Sequence, residues 1–390
     1  MTAGQKQALF LSARRLEEFL RGTPTPFYLY DEKSLMQAAE ALFRYFSWNE
    51  GFLPLFPVRM NPNAAVLRIL AAAGCGALCA TLPELELAVV CGFSGTHITY
   101  APELPDVQAE QRAHALGAVF QLRSAEFLPQ TVPASVSLML RQDNAAYLSG
   151  KMGSGMGRSG AGMEEQTLLR LAVSLAAYGT QRFGLCVQGS ELCMEEGAYP
   201  AAAERLCHLA RTLQEKTGIT ALELDLGGGL GVSYRRGYPE PDAEAVSEAV
   251  RACVQTAFPA ARLRMSPGRY LAAKAGVLVT RAVSVQQLQI PLVQLDFSYA
   301  QCLRLTKSGG YQECTALRRT GRPVRPQLLS GCGSSLSAGP MRRTLPELRP
   351  GDPVIIEMLG ADGRSLSCAY GGAAPCREYL VRADGEIVPV

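Results

Sequence analysis

The stretch Phe52–Ala80, FLPLFPVRMNPNAAVLRILAAAGCGALCA, decides how this chain is read. Phe52 to Val58 is a short apolar run of strand length. Ala64 to Ala73 carries its apolar residues at helical spacing, and Ala77 to Ala80 is a second short apolar run. The order is therefore strand, helix, strand. Working outward, Phe27 to Tyr30 reads as a strand and Glu32 to Phe46 as a helix. Downstream, Pro83 to Cys91 reads as a helix. Thr96 to Tyr100, Ala118 to Gln121 and Val136 to Leu140 read as strands, as does Arg182 to Val187. Ala201 to Lys216 reads as a long helix, Ala221 to Leu226 as a strand, Ala243 to Phe258 as a helix and Arg262 to Met265 as a strand. Repetition of strand-then-helix units over about 250 residues predicts a parallel sheet, in its simplest closed form a (β/α)8 TIM-type barrel over residues 26–275.

After Lys274 the pattern changes. Val277 to Leu288, Gln294 to Phe297, Pro353 to Met358 and Glu378 to Arg382 read as strands separated by Gly- and Pro-bearing turns. Residues 276–390, together with 1–25, are expected to form a second, antiparallel β-rich domain.

Composition narrows the function classes. Of the 390 residues, 48% are hydrophobic and 19% charged, enough for a sizeable core. The net charge of +3 comes with no basic stripe, so nucleic acid is not an expected partner. Apolar stretches such as Ala64 to Cys75 are too short to span a bilayer. The N-terminus lacks the basic start and apolar centre of a secretory signal. The 12 cysteines sit singly among apolar neighbours, and His97, His114 and His208 are isolated, so no metal site is expected. Buried, reduced thiols in a cytoplasmic protein are the expectation.

Five collinear segments carry a resemblance. They are Thr25-Pro26-Phe27-Tyr28-Leu29-Tyr30-Asp31, Val58-Arg59-Met60-Asn61-Pro62-Asn63, Leu224-Asp225-Leu226-Gly227-Gly228-Gly229-Leu230-Gly231, Ser266-Pro267-Gly268-Arg269-Tyr270, and Leu345-Pro346-Glu347-Leu348-Arg349-Pro350-Gly351-Asp352. In this order over about 320 residues they resemble diaminopimelate decarboxylase and its relatives, the fold-type III decarboxylases that use pyridoxal phosphate (PLP) on an alanine-racemase-like barrel. The resemblance implies PLP at the C-terminal mouth of the barrel, held as an imine by a lysine. It also implies a head-to-tail dimer with its active sites at the interface.

The same resemblance marks where this chain departs from the family. Arg59 stands at the position of the imine lysine. Imine formation needs a neutral primary amine, whereas a guanidinium stays protonated up to pH about 12 or above with its lone pairs delocalised. In the family a G-L-H-x-H-I-G-S segment sets histidine against the cofactor ring. Here Arg182 to Glu191 reads RFGLCVQGSE, which leaves Val187 at the ring position and keeps Gly189 and Ser190. The acid of E-P-G-R, the partner of the pyridine nitrogen, is Ser266. The C-E-S-G-D loop is Cys332-Gly333-Ser334-Ser335-Leu336, which keeps the proton-donating cysteine but has Gly333 in place of the glutamate that recognises substrate. The G-A-Y-G tyrosine is Asp362, a carboxylate where a phosphate is expected.

Some positions are kept. Gly227, Gly228 and Gly229 suit a phosphate cradle, and equally a tight strand-to-helix turn. Arg269 and Arg304 stand at substrate-contacting arginine positions and suit a carboxylate, or alternatively structural ion pairs. Ser308 stands at a substrate tyrosine position, with Tyr311 nearby. Rescue of imine chemistry would need another lysine, such as Lys307 or Lys151. The latter lies in the glycine-rich run Ser149 to Gly162, where Met152, Met156 and the adjoining Met163 are expected to fill gaps. Three readings follow. One is a non-catalytic paralogue that pairs with itself or with an active decarboxylase. Another is a module for a small carboxylate or phosphate. The third is an active decarboxylase with altered PLP attachment.

Overall fold

The computed structural model describes residues 10–141, 162–188, 192–306, 311–317, 321–333, 336 and 339–390. The chain divides into two compact units. One comprises Met36–Val232 with Glu240–Leu271, and the other Met1–Leu35, Ser233–Pro239 and Ala272–Val390.

In chain order the first nine strands are β1 (Phe27–Asp31), β2 (Leu53–Pro57), β3 (Gly76–Cys79), β4 (Ile98–Tyr100), β5 (Val119–Leu122), β6 (Ser135–Leu140), β7 (Arg182–Val187), β8 (Ala221–Gly228) and β9 (Arg262–Ser266). Strands β2 to β9 close into an eight-stranded parallel barrel, with β2 returning to β9 through the pair Leu53↔Arg264. Every residue of β2, β5 and β6 is buried, as expected for parallel strands covered by crossover helices on one side and barrel filling on the other. The crossover helices start where short polar side chains take up orphan backbone donors. Asn63 Oδ1 accepts from Ala65 N at 2.9 Å to open Ala64–Ala72. Asp106 and Asp242 cap Val107–Ala115 and Ala243–Ala257 in the same way. Ala198–Thr217 ends at Gly218, whose φ of 74° is left-handed.

Near the starts of β7 and β8 the barrel strands carry a charged cluster. Glu223 accepts from Arg182 at 3.1 Å and from Arg264 at 2.9 Å, and Arg264 also donates to Thr99 at 3.1 Å. Arg264 is buried, and the paired carboxylate offsets what its desolvation would otherwise cost.

The second unit holds β1, β10 (Gly276–Gln286), β11 (Leu292–Ser298), β12 (Cys314–Ala316), β13 (Val324–Cys332), β14 (Met341–Pro346), β15 (Pro353–Ile356), β16 (Arg377–Val381) and β17 (Ile387–Pro389). They form a nine-stranded sheet of path β14-β13-β11-β10-β1-β16-β17, with β15 joining β10 and β12. Its pairs are antiparallel except β1–β16 and β11–β13. The helix Ala13–Gly22, capped by Ser12, lays Leu16 and Leu20 on a core of Phe27, Leu29, Val277, Val279, Ile355 and Val381. Each fully buried side chain of this kind contributes about 1.5–3 kcal/mol of transfer free energy.

Two expectations shift. The Phe27 strand, expected to open the barrel, lies in this sheet between β10 and β16. All five of its residues are buried, so its apolar run looks the same as that of a barrel strand. The sequence also shows three successive strands from Thr96 to Leu140. The structure sets a helix, Val107–Ala115, between the first two and none between β5 and β6. That helix is polar and short, and only its Asp106 cap announces it.

Candidate functional site

In the barrel unit the expected site residues fall at the C-terminal ends of parallel strands, the end at which barrel enzymes assemble their chemistry. Arg59 lies in the single 3-10 turn Val58–Met60 that follows β2. Val187 is the last residue of β7 and is buried, Gly227 and Gly228 end β8 with Gly229 just after it, and Ser266 ends β9. Arg269 follows in the short helix Gly268–Ala272 and is 7% exposed, so it is not a surface arginine.

The Arg59 side chain is 53% exposed, and its Nη1 lies 3.9 Å from Glu103 Oε1. Glu103 follows β4. Glu84, after β3, accepts from Ala80 N at 2.7 Å. Burial pushes the Glu84 carboxyl up, while the Ala80 N–H and the Arg59 charge pull it down and Glu103 pushes it up again. Arg123, after β5, is shifted down by burial, up by Glu103 and down by Arg59. Two cations, Arg59 and Arg123, thus flank two acidic residues, Glu84 and Glu103, over four successive strand ends. The sequence reading missed Glu84, Glu103 and Arg123. Their one legible signal was position, since Glu103 and Arg123 closely follow predicted strands.

The glycine turn has its own structural causes. Gly227 and Gly229 have φ of 77° and 94°, in the left-handed region that favours glycine. A Cβ on Gly228 would lie 2.8 Å from Ser266 O, across the β8–β9 bridge Gly228↔Ser266. The Gly227 N–H is also engaged, donating to Asp225 Oδ1 at 2.9 Å. A phosphate cradle works by presenting such N–H groups to the ligand, and this one points to a carboxylate of the chain itself. Burial pushes the Asp225 carboxyl up, whereas the Gly227 N–H and Arg264 draw it down and Glu223 raises it.

The β-rich unit carries Arg304, Asp362, Cys332 and Gly333. The structure brings the first two together. Arg304, in the turn Leu303–Thr306, places Nη1 3.5 Å from Asp362 Oδ2, and each side chain is 13% exposed. The Arg304 guanidinium carbon also sits 4.1 Å from the centre of the Tyr234 ring. With the Gln312 amide turned so that both its ends are satisfied, Arg304 Nε donates to Gln312 Oε1 at 2.6 Å, and the amide nitrogen donates to Glu357 O at 3.0 Å. Neither Tyr234 nor Gln312 gave a sequence signal. Cys332 ends β13, exposed, and its Sγ accepts from Gln294 Nε2 at 3.7 Å. Gly333 has φ of 76°, a conformation that a glutamate there would adopt only under strain.

Gly189, Ser190, Lys307, Ser308, Ser334 and Ser335 lie outside the described residues, as do Lys151, Met152 and Met156. Met163, at the far end of the glycine-rich run, is buried and bridges to Leu140. Of the 12 cysteines, Cys332 and Cys368 are exposed and Cys253 is intermediate. The other nine are buried, which matches their apolar sequence neighbourhoods. Among the described residues no helix is long and apolar enough to cross a membrane.

The chain matches the family described as "Pyridoxal-dependent decarboxylase, pyridoxal binding domain" over residues 36–273. It is 26% identical to Protein TabA of Pseudomonas amygdali pv. tabaci over 383 residues, covering 96% of this chain and 90% of that one. It is 29% identical to a diaminopimelate decarboxylase of Pseudomonas fluorescens over 387 residues, covering 93% and 88%. Among solved structures, diaminopimelate decarboxylase from M. jannaschii in co-complex with L-lysine superposes with a TM-score of 0.87 at 19% identity, covering 95% of this chain and 90% of that one.

Proposed function

The chain belongs to the pyridoxal-dependent decarboxylase family, and from that premise we propose that it is a degenerate, diaminopimelate-decarboxylase-like member that does not form an imine with PLP. One observation carries the reading. The residue at the end of β2, where the family's lysine is expected, is Arg59, whose guanidinium cannot condense with an aldehyde. Among the described residues the lysines are Lys33, Lys216 and Lys274, and none of them follows a barrel strand.

Other residues support the same reading. Ser266 offers a pyridine nitrogen no charge. Val187 offers an aliphatic side chain where the family sets histidine. The Gly227 N–H is engaged by Asp225. The residues present therefore do not fit a covalently held PLP, and no catalytic step is assigned to it. In this reading the protein pairs with a second copy of itself or with an active paralogue, and a small carboxylate or phosphate takes the place of a turned-over substrate.

A second reading draws on the relatives, several of which carry the name diaminopimelate decarboxylase. It is an active enzyme of that class with PLP attached through another lysine. Carbon dioxide release from diaminopimelate in the presence of excess PLP separates the two. The degenerate member gives none above a protein-free control, and turnover would establish the second reading.

A further inference from the structure

At the N-terminal ends of the barrel strands lies a cavity of 360 Å³, lined in part by Phe43, Phe52, Glu223, Arg262 and Arg264. Its size falls within the range of small-molecule sites, about 300–1,000 Å³. Barrel enzymes assemble their chemistry at the other end of the strands, where Arg59, Val187 and Ser266 lie. This cavity is therefore separate from the site described above.

Arg262 and Arg264 stand two apart on β9 and so leave the strand on the same side. Arg264 is engaged by Glu223 and Thr99. Glu223 is shared between Arg264 and Arg182, so the acid of the cavity wall is already taken. Arg262 has no ion pair among the described residues, although Glu50 and Arg262 both line a neighbouring recess. Its position is nonetheless fixed. The buried Asn49 donates Nδ2 to Ala261 O at 2.8 Å and accepts from Leu263 N at 2.9 Å, which clamps the backbone on both sides of Arg262. The Arg262 stem lies over Gly51, where a Cβ would come within 3.0 Å of its Cδ. A guanidinium held this way presents a planar fork that suits a carboxylate's two oxygens.

The apolar wall is aromatic. Phe52 stacks on Phe46 with ring centres 4.3 Å apart, and Phe43 meets Phe52 edge-on at 6.1 Å. A fixed cation beside these rings matches an anion that carries a flat apolar body.

We infer that this cavity binds an aromatic carboxylate, with its acidic head on Arg262 and its ring against Phe43 and Phe52. The inference rests on the opposite strand ends from Arg59, so it stands or falls independently of imine chemistry.

Benzoate is the probe, with benzyl alcohol as its uncharged counterpart. Saturation-transfer NMR titrations follow both against the full chain at constant ionic strength. Benzoate should bind the wild type saturably, benzyl alcohol more weakly, and Arg262→Gln should weaken benzoate binding about tenfold or more. Should Arg262→Gln not fold, Arg262→Lys keeps the charge but loses the planar fork, and it should also bind benzoate more weakly than wild type. The inference is overturned by a wild type that benzoate does not saturate, by equal benzoate affinity in wild type and the Arg262 variant, or by benzyl alcohol binding as tightly as benzoate.

Discussion

The Asp225 carboxylate accepts a hydrogen bond from the Gly227 backbone N–H at 2.9 Å, inside the turn where a phosphate cradle would need that donor free. Asp225 is 3% exposed, so the contact is sealed from water. Asp225→Ala leaves the Gly227 N–H without this acceptor and should destabilise the barrel unit by about 1–3 kcal/mol. Asp225→Asn keeps an oxygen acceptor and removes a buried charge, so it should be no less stable than wild type at pH 7. Urea unfolding of the three proteins checks both outcomes.

The same residue gives a pH dependence. Burial raises the Asp225 carboxyl above its ordinary value of 3.8. Between 3.8 and the folded value the native state keeps the proton and the unfolded state has lost it. Stability contributed by this group therefore falls as pH rises through that window and is level above it. Asp225→Asn has no such titration. The stability difference between wild type and variant should shift against the wild type as pH climbs from about 4. A difference that is constant with pH would contradict the assignment.

Arg59 contributes little to stability. Its contact with Glu103 is 3.9 Å long, between side chains 53% and 68% exposed. Such pairs are worth about 0–1 kcal/mol. Arg59→Ala and Glu103→Gln should each leave the unfolding midpoint nearly unchanged, as a denaturant titration will show.

At the Arg264–Glu223 pair the opposite holds. Arg264 and Glu223 have side chains 6% and 11% exposed and meet at 2.9 Å. Glu223→Gln takes away the carboxylate paired with this buried guanidinium and should cost about 3–5 kcal/mol. A loss as small as that of Arg59→Ala would show that water reaches this cluster.

Much of the architecture was legible because parallel strands and their helices differ in apolar period. Phe52 to Val58 and Ala64 to Ala73 sit within a residue or two of their observed bounds. The second domain was harder to read. Val324–Cys332 and Met341–Pro346 alternate weakly and were not seen as strands, and β1 was assigned to the wrong sheet because full burial erases the alternation that distinguishes sheets. At the site, Arg59 was legible through the motif around it. Its neighbours Glu103 and Arg123, and Tyr234 and Gln312 around Arg304, come together only in three dimensions, from separate strand ends and loops that no local pattern links.

Under the proposed function, Arg59 in the lysine position removes covalent cofactor attachment. The direct measurement is intact-protein mass after incubation with PLP and borohydride reduction, for wild type and Arg59→Lys side by side. No stoichiometric pyridoxyl adduct should form on the wild type, and one should form on Arg59→Lys, which restores the amine. A stoichiometric pyridoxyl adduct on the wild-type chain would contradict it.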